Sequence, residues 1–291
     1  MQNQGIRDAR SLGTPKLLVL GLQHMFAMFG ATVLVPALTG LSVSATLLFA
    51  GLGTLFFHFL TKGKVPAFLG SSFAYLAGYA AIAPNGETAL LPYACVGVAA
   101  SGLLYLILAA LVRGFGANRV MRFFPPVVTG PIIICIGLSL APSAISNASQ
   151  NWVLALIALG TVIFFNIWGI GMFRIIPILM GIVVSYAAAL IMNALGMTNA
   201  DGSAILNFAG VASAPIVGVP KFFLCKFNIT AILAMAPIAI ASMMEHIGDI
   251  SAISSTTGKN FIEDPGLHRT LVGDGLATAF AGFFGGPANT T

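Results

Sequence analysis

The sequence has 291 residues, of which 58% are hydrophobic and only 7% are charged, and its mean hydropathy is +0.97. A soluble domain carries about 25% charged residues, so this composition excludes a soluble fold. The net charge of +5 does not indicate nucleic-acid binding, because the basic residues stand in ones to threes between long apolar runs. The chain is therefore predicted to be an all-α, multi-pass membrane protein.

Apolar runs of about 20 residues recur along the chain, and each is long enough to cross a hydrocarbon core of about 30 Å. The first run exceeds a signal-peptide core and lacks a small-residue cleavage site, so we expect it to remain as a helix. The nine predicted spans are 17–40, 42–61, 66–83, 89–112, 124–144, 152–172, 175–196, 229–254 and 270–285.

The basic residues between the spans predict the orientation. Counted along the spans, most fall on one face, which the positive-inside rule makes cytoplasmic together with the N-terminus. They are Arg7, Arg10, Lys16, Lys62, Lys64, Arg113, Arg119, Arg122, Arg174, Lys259 and Arg269. Lys221 and Lys226 are exceptions, and they lie in the long segment 197–228, where the rule is weaker. The predicted location is the inner or plasma membrane.

Two short internal matches suggest a repeat. Leu22–Met25 resembles Met244–Ile247 at an offset of 222, and Gly51–Phe56 resembles Gly275–Phe280 at an offset of 224. A first repeat of seven spans would leave the second repeat inverted in the membrane, as in many secondary transporters. We therefore expect the chain to be a piece of a protein of over about 400 residues. The predicted parts are a first repeat at 1–200, an extracytoplasmic connection at 201–228 and an incomplete second repeat at 229–291.

Two carboxylates lie inside the eighth span. Glu245 and Asp249 are four residues apart, so they share one face of the helix. Burying two ionised neighbours costs several kcal/mol, so at least one should carry a proton part of the time. Such a pair can couple transport to a proton gradient. The alternative is a structural role as a cap or ion-pair partner near the end of the span.

Other polar residues are predicted to support this pair. His246 points about 100° away from Glu245 around the helix, so we expect it to pack on or hydrogen-bond to a neighbouring helix. Gln23 and His24 occupy the corresponding place in the first span. They either form ordinary interhelical hydrogen bonds or hold the eighth span beside the site.

The third span is interrupted near its middle. Pro66, Gly70, Ser71 and Ser72 break the apolar run. This pattern favours an extended stretch followed by a half-helix that begins around Ser71 or Ser72, although a plain proline kink is the alternative. The half-helix would present free N–H groups to an acceptor oxygen at membrane depth.

These groups would suit a planar imide as the ligand. Its carbonyl oxygens would accept hydrogen bonds from backbone amides, and its ring N–H groups would donate to a carboxylate such as Glu245. Phe73 could stack on the ring. The same donors and acceptors suit other heterocycles, so they do not distinguish a pyrimidine from a purine.

Five segments together resemble the uracil permeases of the nucleobase-cation-symport-2, or nucleobase-ascorbate transporter, family. The resemblance extends along nearly the whole chain. The segments are Leu22–Pro36, Gly70–Ala74, Glu245–Asp249, Asp264–Arg269 and Asn289–Thr291.

The resemblance implies fourteen spans in two inverted repeats of seven, divided into a core and a gate domain and often assembled as a homodimer. It implies short strands in spans three and ten that meet at the substrate. It assigns base binding to the Glu245 carboxylate and the Phe73 backbone, with Ser72 and Ala31 beside them. It assigns proton coupling to Glu245 and Asp249, and a supporting role to a set of polar residues. That set is Gln23, His24, His246 and Ser71. A further substrate-binding residue of the tenth span would lie beyond Thr291.

The function that the resemblance implies is proton-coupled symport of a nucleobase, with uracil as the first choice, and there are three alternatives. A xanthine or urate permease of the same family is the nearest alternative. An anion exchanger or channel is less compatible, because no Lys or Arg lies deep in a span. An enzyme is disfavoured because Glu245, His246 and Asp249 do not have zinc-site spacing. The three isolated cysteines also lack metal-ligand spacing, so no cofactor or metal is expected.

Overall fold

The computed structural model describes residues 13–84, 86–123, 125–174, 176–210 and 218–291. Each predicted span contains a helix in this part of the chain. The helices are α1 Thr14–Thr39, α2 Val43–Leu60, α3 Leu76–Ile82, α4 Leu91–Phe115, α5 Pro126–Gln150, α6 Trp152–Trp168, α7 Pro177–Ala194, α8 Ile229–Thr257 and α9 Leu267–Phe283. Two short strands, β1 Gly70–Ser71 and β2 Asn289–Thr290, and a 3-10 turn at Phe73–Tyr75 complete the elements that form the site.

The burial pattern is that of a membrane protein. Five helical segments in the described part are long and apolar enough to cross a membrane: Val43–Leu60, Leu91–Phe115, Gly130–Gln150, Pro177–Ala194 and Ile229–Thr257. Large apolar side chains such as Phe59 and Ile170 are exposed on the outside, whereas polar residues such as Ser242 and Asp274 are fully buried. Lipid as the outer solvent explains both facts. The predicted multi-pass helical fold is confirmed.

Helix ends follow local capping chemistry. The side chains of Ser42, Asn151 and Asn228 accept hydrogen bonds from backbone amides in the first turns of α2, α6 and α8. Gly258 ends α8 in the left-handed conformation, with φ of 67°. The predicted spans 124–144 and 152–172 leave a connection between them, but α5 continues through Gln150 before Asn151 caps the next helix. Ser149 Oγ donates to the Ser146 carbonyl oxygen at 2.8 Å, so this serine bonds within the helix and does not break it.

The chain divides into two compact units. One contains Gly30–Leu138 and Val219–Thr291, and its core lies where α4, α8 and α9 pack together. The other contains Ser139–Gly218 and the first part of α1, and within it α6 packs along α7. This division follows packing and does not test the repeat boundaries at 200 and 228, which stay a prediction.

Small residues allow α4 and α9 to approach closely. A Cβ atom added at Gly102 of α4 would lie 2.5 Å from the backbone N of Ala279 on α9. A Cβ added at Gly282 would lie 2.6 Å from the backbone N of Ala99. Both neighbours are backbone atoms, which cannot rotate away, so this crossing depends on glycine.

Gly102→Ala should therefore destabilise the protein by about 1–3 kcal/mol, the usual cost of overpacking a well-packed interior. Thermal unfolding of the purified chain in detergent measures this effect. Gly51→Ala is the matched control, because nothing lies within 4 Å of a Cβ added there. A Gly102→Ala protein as stable as the Gly51→Ala protein would contradict the observed crossing.

Candidate functional site

The strand pair β1–β2 joins the third span to the segment that follows α9. The strands are antiparallel, with Gly70 opposite Thr290 and Ser71 opposite Asn289. The Ser72 amide extends the pairing by donating to the Ala288 carbonyl oxygen at 2.9 Å. These bonds satisfy extended backbone in the protein interior, which is the condition for its presence at membrane depth.

Side chains from two helices hold the strands in place. Ser71 Oγ donates to the carbonyl oxygen of Thr32 on α1 at 3.1 Å. The hydroxyl of Thr278 on α9 donates to the Asn289 carbonyl oxygen and accepts from the Asn289 amide, both at 3.1 Å. The strand pair is thus attached to both neighbouring helices.

The half-helix of the third span begins directly after β1. Ser72 has an extended conformation with φ of −76° and ψ of 124°, and the helical turn starts at Phe73, one residue after the predicted start. Ser72 Oγ does not cap this helix; it is buried and has no hydrogen-bond partner among the described residues. The first N–H groups of a helix have no acceptor within it. The start of the half-helix therefore offers hydrogen-bond donors and an unused hydroxyl.

Glu245 of α8 supplies an acceptor near this half-helix. Helix α8 packs against the 3-10 turn Phe73–Tyr75. Glu245 Oε2 is buried and has no hydrogen-bond partner in the described part of the chain. Tyr75, within the turn, lies in electrostatic reach of both Glu245 and Asp274. Buried carboxylate oxygens are normally paired, so the unpaired Oε2 indicates a place for a hydrogen-bond donor from a ligand.

A buried pair joins α8 to α9. His246 Nδ1 lies 2.9 Å from Oδ2 of Asp274 on α9, and neither side chain is exposed at all. The atoms are close enough for an ion pair. A carboxylate at this distance favours a proton on Nδ1.

Two further groups surround the His246 ring. Thr291 Oγ1 lies 3.3 Å from Nδ1, and the Tyr105 ring meets the imidazole edge-on with centroids 6.2 Å apart. Tyr105 in turn shares a 2.8 Å hydrogen bond with Ser242. Thr291 also hydrogen-bonds to the half-buried Asp249. A polar cluster therefore extends from Asp249 to Asp274.

Asp274 was not identified from the sequence. It lies inside the predicted ninth span, 270–285, and this position alone could have marked it, because acidic residues inside spans are rare.

The predicted site residues are only partly brought together. Ser71, Ser72, Phe73, Glu245, His246 and Asp249 lie in the same compact unit. Phe73 is half-buried. The side chains of Gln23 and Ala31 lie outside the described part of the structure. His24 is exposed and belongs to the other unit, so its support of α8 stays a prediction.

A family model described as the permease family matches residues 15–291. The chain belongs to the permease family. The match includes the strand pair, the half-helix and both carboxylates of α8.

Named relatives of this permease are similar over most of its sequence. It is 44% identical over 281 residues to a probable uracil permease of Haemophilus influenzae, covering 94% of this chain and 64% of that protein. It is 39% identical over 301 residues to the uracil permease of Bacillus caldolyticus, covering 98% of this chain and 66% of that protein. The chain thus spans slightly less than two thirds of the length of these relatives.

One solved structure has the same fold as this permease. The transmembrane domain of the cyanobacterial bicarbonate transporter BicA matches with a TM-score of 0.53, covering 92% of this chain and 74% of that domain. The sequence identity is 15%, so the likeness concerns the fold alone.

Proposed function

We propose that the whole protein is a proton-coupled nucleobase symporter of the cytoplasmic membrane and that its substrate is uracil. The observation that carries the proposal is a buried oxygen of Glu245 that has no hydrogen-bond partner in the part of the chain that the structure describes, on a helix that packs against the start of the half-helix. One planar ligand can then donate a hydrogen bond to the Glu245 carboxylate and accept hydrogen bonds from the free N–H groups at the start of the half-helix. The names of the relatives support a uracil substrate.

In this proposal each group has one role. Glu245 accepts a ring N–H of uracil, and the amide at Phe73 donates to a ring carbonyl. The buried hydroxyl of Ser72 is free to bond a second polar atom. The Phe73 ring stacks on the base, and Ala31 borders it. The first span, through Gln23 and His24, supports α8.

The polar cluster around Asp249 supports proton coupling. Three carboxylates, those of Glu245, Asp249 and Asp274, interact with each other electrostatically. Like charges so close together are costly to ionise at once, so a proton is held among them. If Asp249 opens alternately to the two sides of the membrane, it can take up the proton on one side and release it on the other. Uracil movement would then be coupled to the proton gradient. The same negative groups disfavour the transport of an anion.

The remaining features of the proposal concern the assembly and the membrane. We infer a homodimer, a cytoplasmic N-terminus and an inverted second repeat that starts near residue 229. Charge counting and the internal matches support orientation and repeat.

Uptake of radiolabelled uracil into proteoliposomes tests the function. Proteoliposomes with the protein from the complete reading frame should accumulate uracil when an inward proton gradient is imposed. This accumulation should stop when a protonophore collapses the gradient. Accumulation of xanthine without uracil would instead assign a purine permease. Uracil uptake that ignores the protonophore would reject the coupling.

Asp249→Asn should remove the pH dependence of this uptake. Wild-type uptake should fall as external pH rises, because a titrating carboxylate loses its proton; an amide has none to lose. Initial rates measured across the range where the wild-type rate changes check this. Asp201→Asn is the control: Asp201 lies in an exposed loop, where hydrogen bonds from Ser203 lower the pKa of its carboxyl. An unchanged pH profile in Asp249→Asn would remove Asp249 from the coupling.

A further inference from the structure

A cavity in the described part of the chain is lined by none of the residues of the proposed uracil site. It has a volume of about 940 Å³ and opens between the end of α4, the short helix Ala117–Val120 that follows it, and the start of α9. Every lining residue is in the described part of the chain. The polar lining residues are Arg113, Asn118, Arg119, Asn260, Glu263 and His268.

The cavity carries excess positive charge. Arg113 and Arg119 are exposed and make no ion pair with a described carboxylate. Glu263 is the one carboxylate among the lining residues. The neighbouring Asp264 is already bound by Lys64, whose Nζ lies 2.6 Å from its carboxylate. Guanidinium groups bind phosphate through charge-assisted, bidentate hydrogen bonds, so two arginines that line one cavity without a carboxylate partner suit a phosphate.

Further charge acts inside the same cavity. Arg113, together with Arg269, lies close enough to the His268 ring for its charge to act on it. The positive charge of Arg113 therefore acts near the start of α9, and Glu263 is the one acidic lining residue that can offset it. An anion bound in the cavity would reduce the repulsion between the arginine side chains and would also accept hydrogen bonds from them.

The other lining side chains include several apolar ones, which identifies the kind of anion. They are Val112, Phe115, Met121, Ile262 and Leu267. Phe115 is 61% exposed and stands at the end of the membrane-spanning helix α4. A free phosphate needs no apolar wall, whereas a phospholipid presents an anionic headgroup beside an acyl chain.

We propose that this cavity binds the headgroup of an anionic phospholipid. The phosphate lies between Arg113 and Arg119, the amides of Asn118 and Asn260 bond glycerol or headgroup oxygens, and an acyl chain leaves past Phe115. The face of the membrane that carries the predicted cluster of basic residues is the one where juxtamembrane cations meet anionic lipid.

Native mass spectrometry of the purified chain with phosphatidylglycerol or phosphatidylcholine tests the proposal without any transport measurement. The chain should retain phosphatidylglycerol and not phosphatidylcholine. Arg113→Gln/Arg119→Gln should bind phosphatidylglycerol about 30-fold more weakly, as expected for two lost cationic contacts. Lys62→Gln/Lys259→Gln removes the same charge from exposed residues outside the cavity lining and should bind like the wild type.

Several outcomes would overturn the assignment. Equal retention of phosphatidylcholine would show that charge is not recognised, and equal loss in the two double variants would show that only overall charge matters. Displacement of phosphatidylglycerol by the same concentration of inorganic phosphate would assign a free-anion site. Helix content by circular dichroism verifies folding, and the two single arginine variants replace the double variant if it does not fold.

Discussion

Replacing Glu245 with glutamine should weaken uracil binding by about 10- to 100-fold, the loss expected when a charge-assisted hydrogen bond of about 1.5–3 kcal/mol is removed. The amide keeps the size of the side chain but offers one acceptor oxygen and a donor group that opposes the donating ring N–H. Oε2 is buried and has no hydrogen-bond partner in the described part of the chain, so it is available to a ligand. Equilibrium binding of radiolabelled uracil to the purified whole protein measures the change.

The control for this variant is Ser251→Ala in the same helix. The Ser251 hydroxyl donates to the Ile247 carbonyl oxygen of α8 itself at 2.7 Å, so its removal leaves the site intact. We expect wild-type affinity from that protein. Wild-type affinity in Glu245→Gln would exclude Glu245 as the group that binds the base.

Removing the carboxylate of Asp274 should cost about 3–5 kcal/mol of stability, because the fully buried His246 ring would lose its charged partner. Asp274→Ala is therefore expected to lower the melting temperature of the purified protein in detergent more than Gly102→Ala does. It should also reduce uracil uptake, since His246 adjoins Glu245 in α8.

A double-mutant cycle separates the pair from simple loss of packing. If His246 and Asp274 stabilise each other, His246→Ala/Asp274→Ala should be less destabilised than the sum of the two single variants, by about 1–3 kcal/mol. Additive losses would mean that the two side chains act independently despite their 2.9 Å separation. Asp201→Asn serves again as a control, because its exposed carboxyl should contribute little to stability.

The fold was largely predictable because lipid imposes a simple rule on the sequence. Every span must be long and apolar, so the nine apolar runs marked the helices α1 to α9 in the described part of the chain. The break in the third span was readable because proline, glycine and serine cannot continue an apolar helix there without cost. The fifth span was predicted to end at 144, short of Gln150, because serine and asparagine are common both in loops and at helix ends.

The site was less predictable because it depends on contacts between distant segments. Spacing put Glu245 and Asp249 on one face, since that follows from the helix repeat. The pairing of His246 with Asp274 depends on the register of α8 against α9, which no local pattern specifies. The pairing of β1 with β2 was expected only from the family resemblance, because strands of two residues leave almost no periodic signal.

The strand pair also affects the order of events during synthesis. Gly70 pairs with Thr290, about 220 residues later in the chain. At a translation rate of about 5–20 residues per second, β1 waits about 10–40 s for its partner after it leaves the ribosome. Its backbone groups must be satisfied by water, by the insertion machinery or by other segments during that interval. The third span should therefore be the last of the early spans to reach its final place. Until β2 is made, its unpaired backbone marks the nascent chain as unfinished.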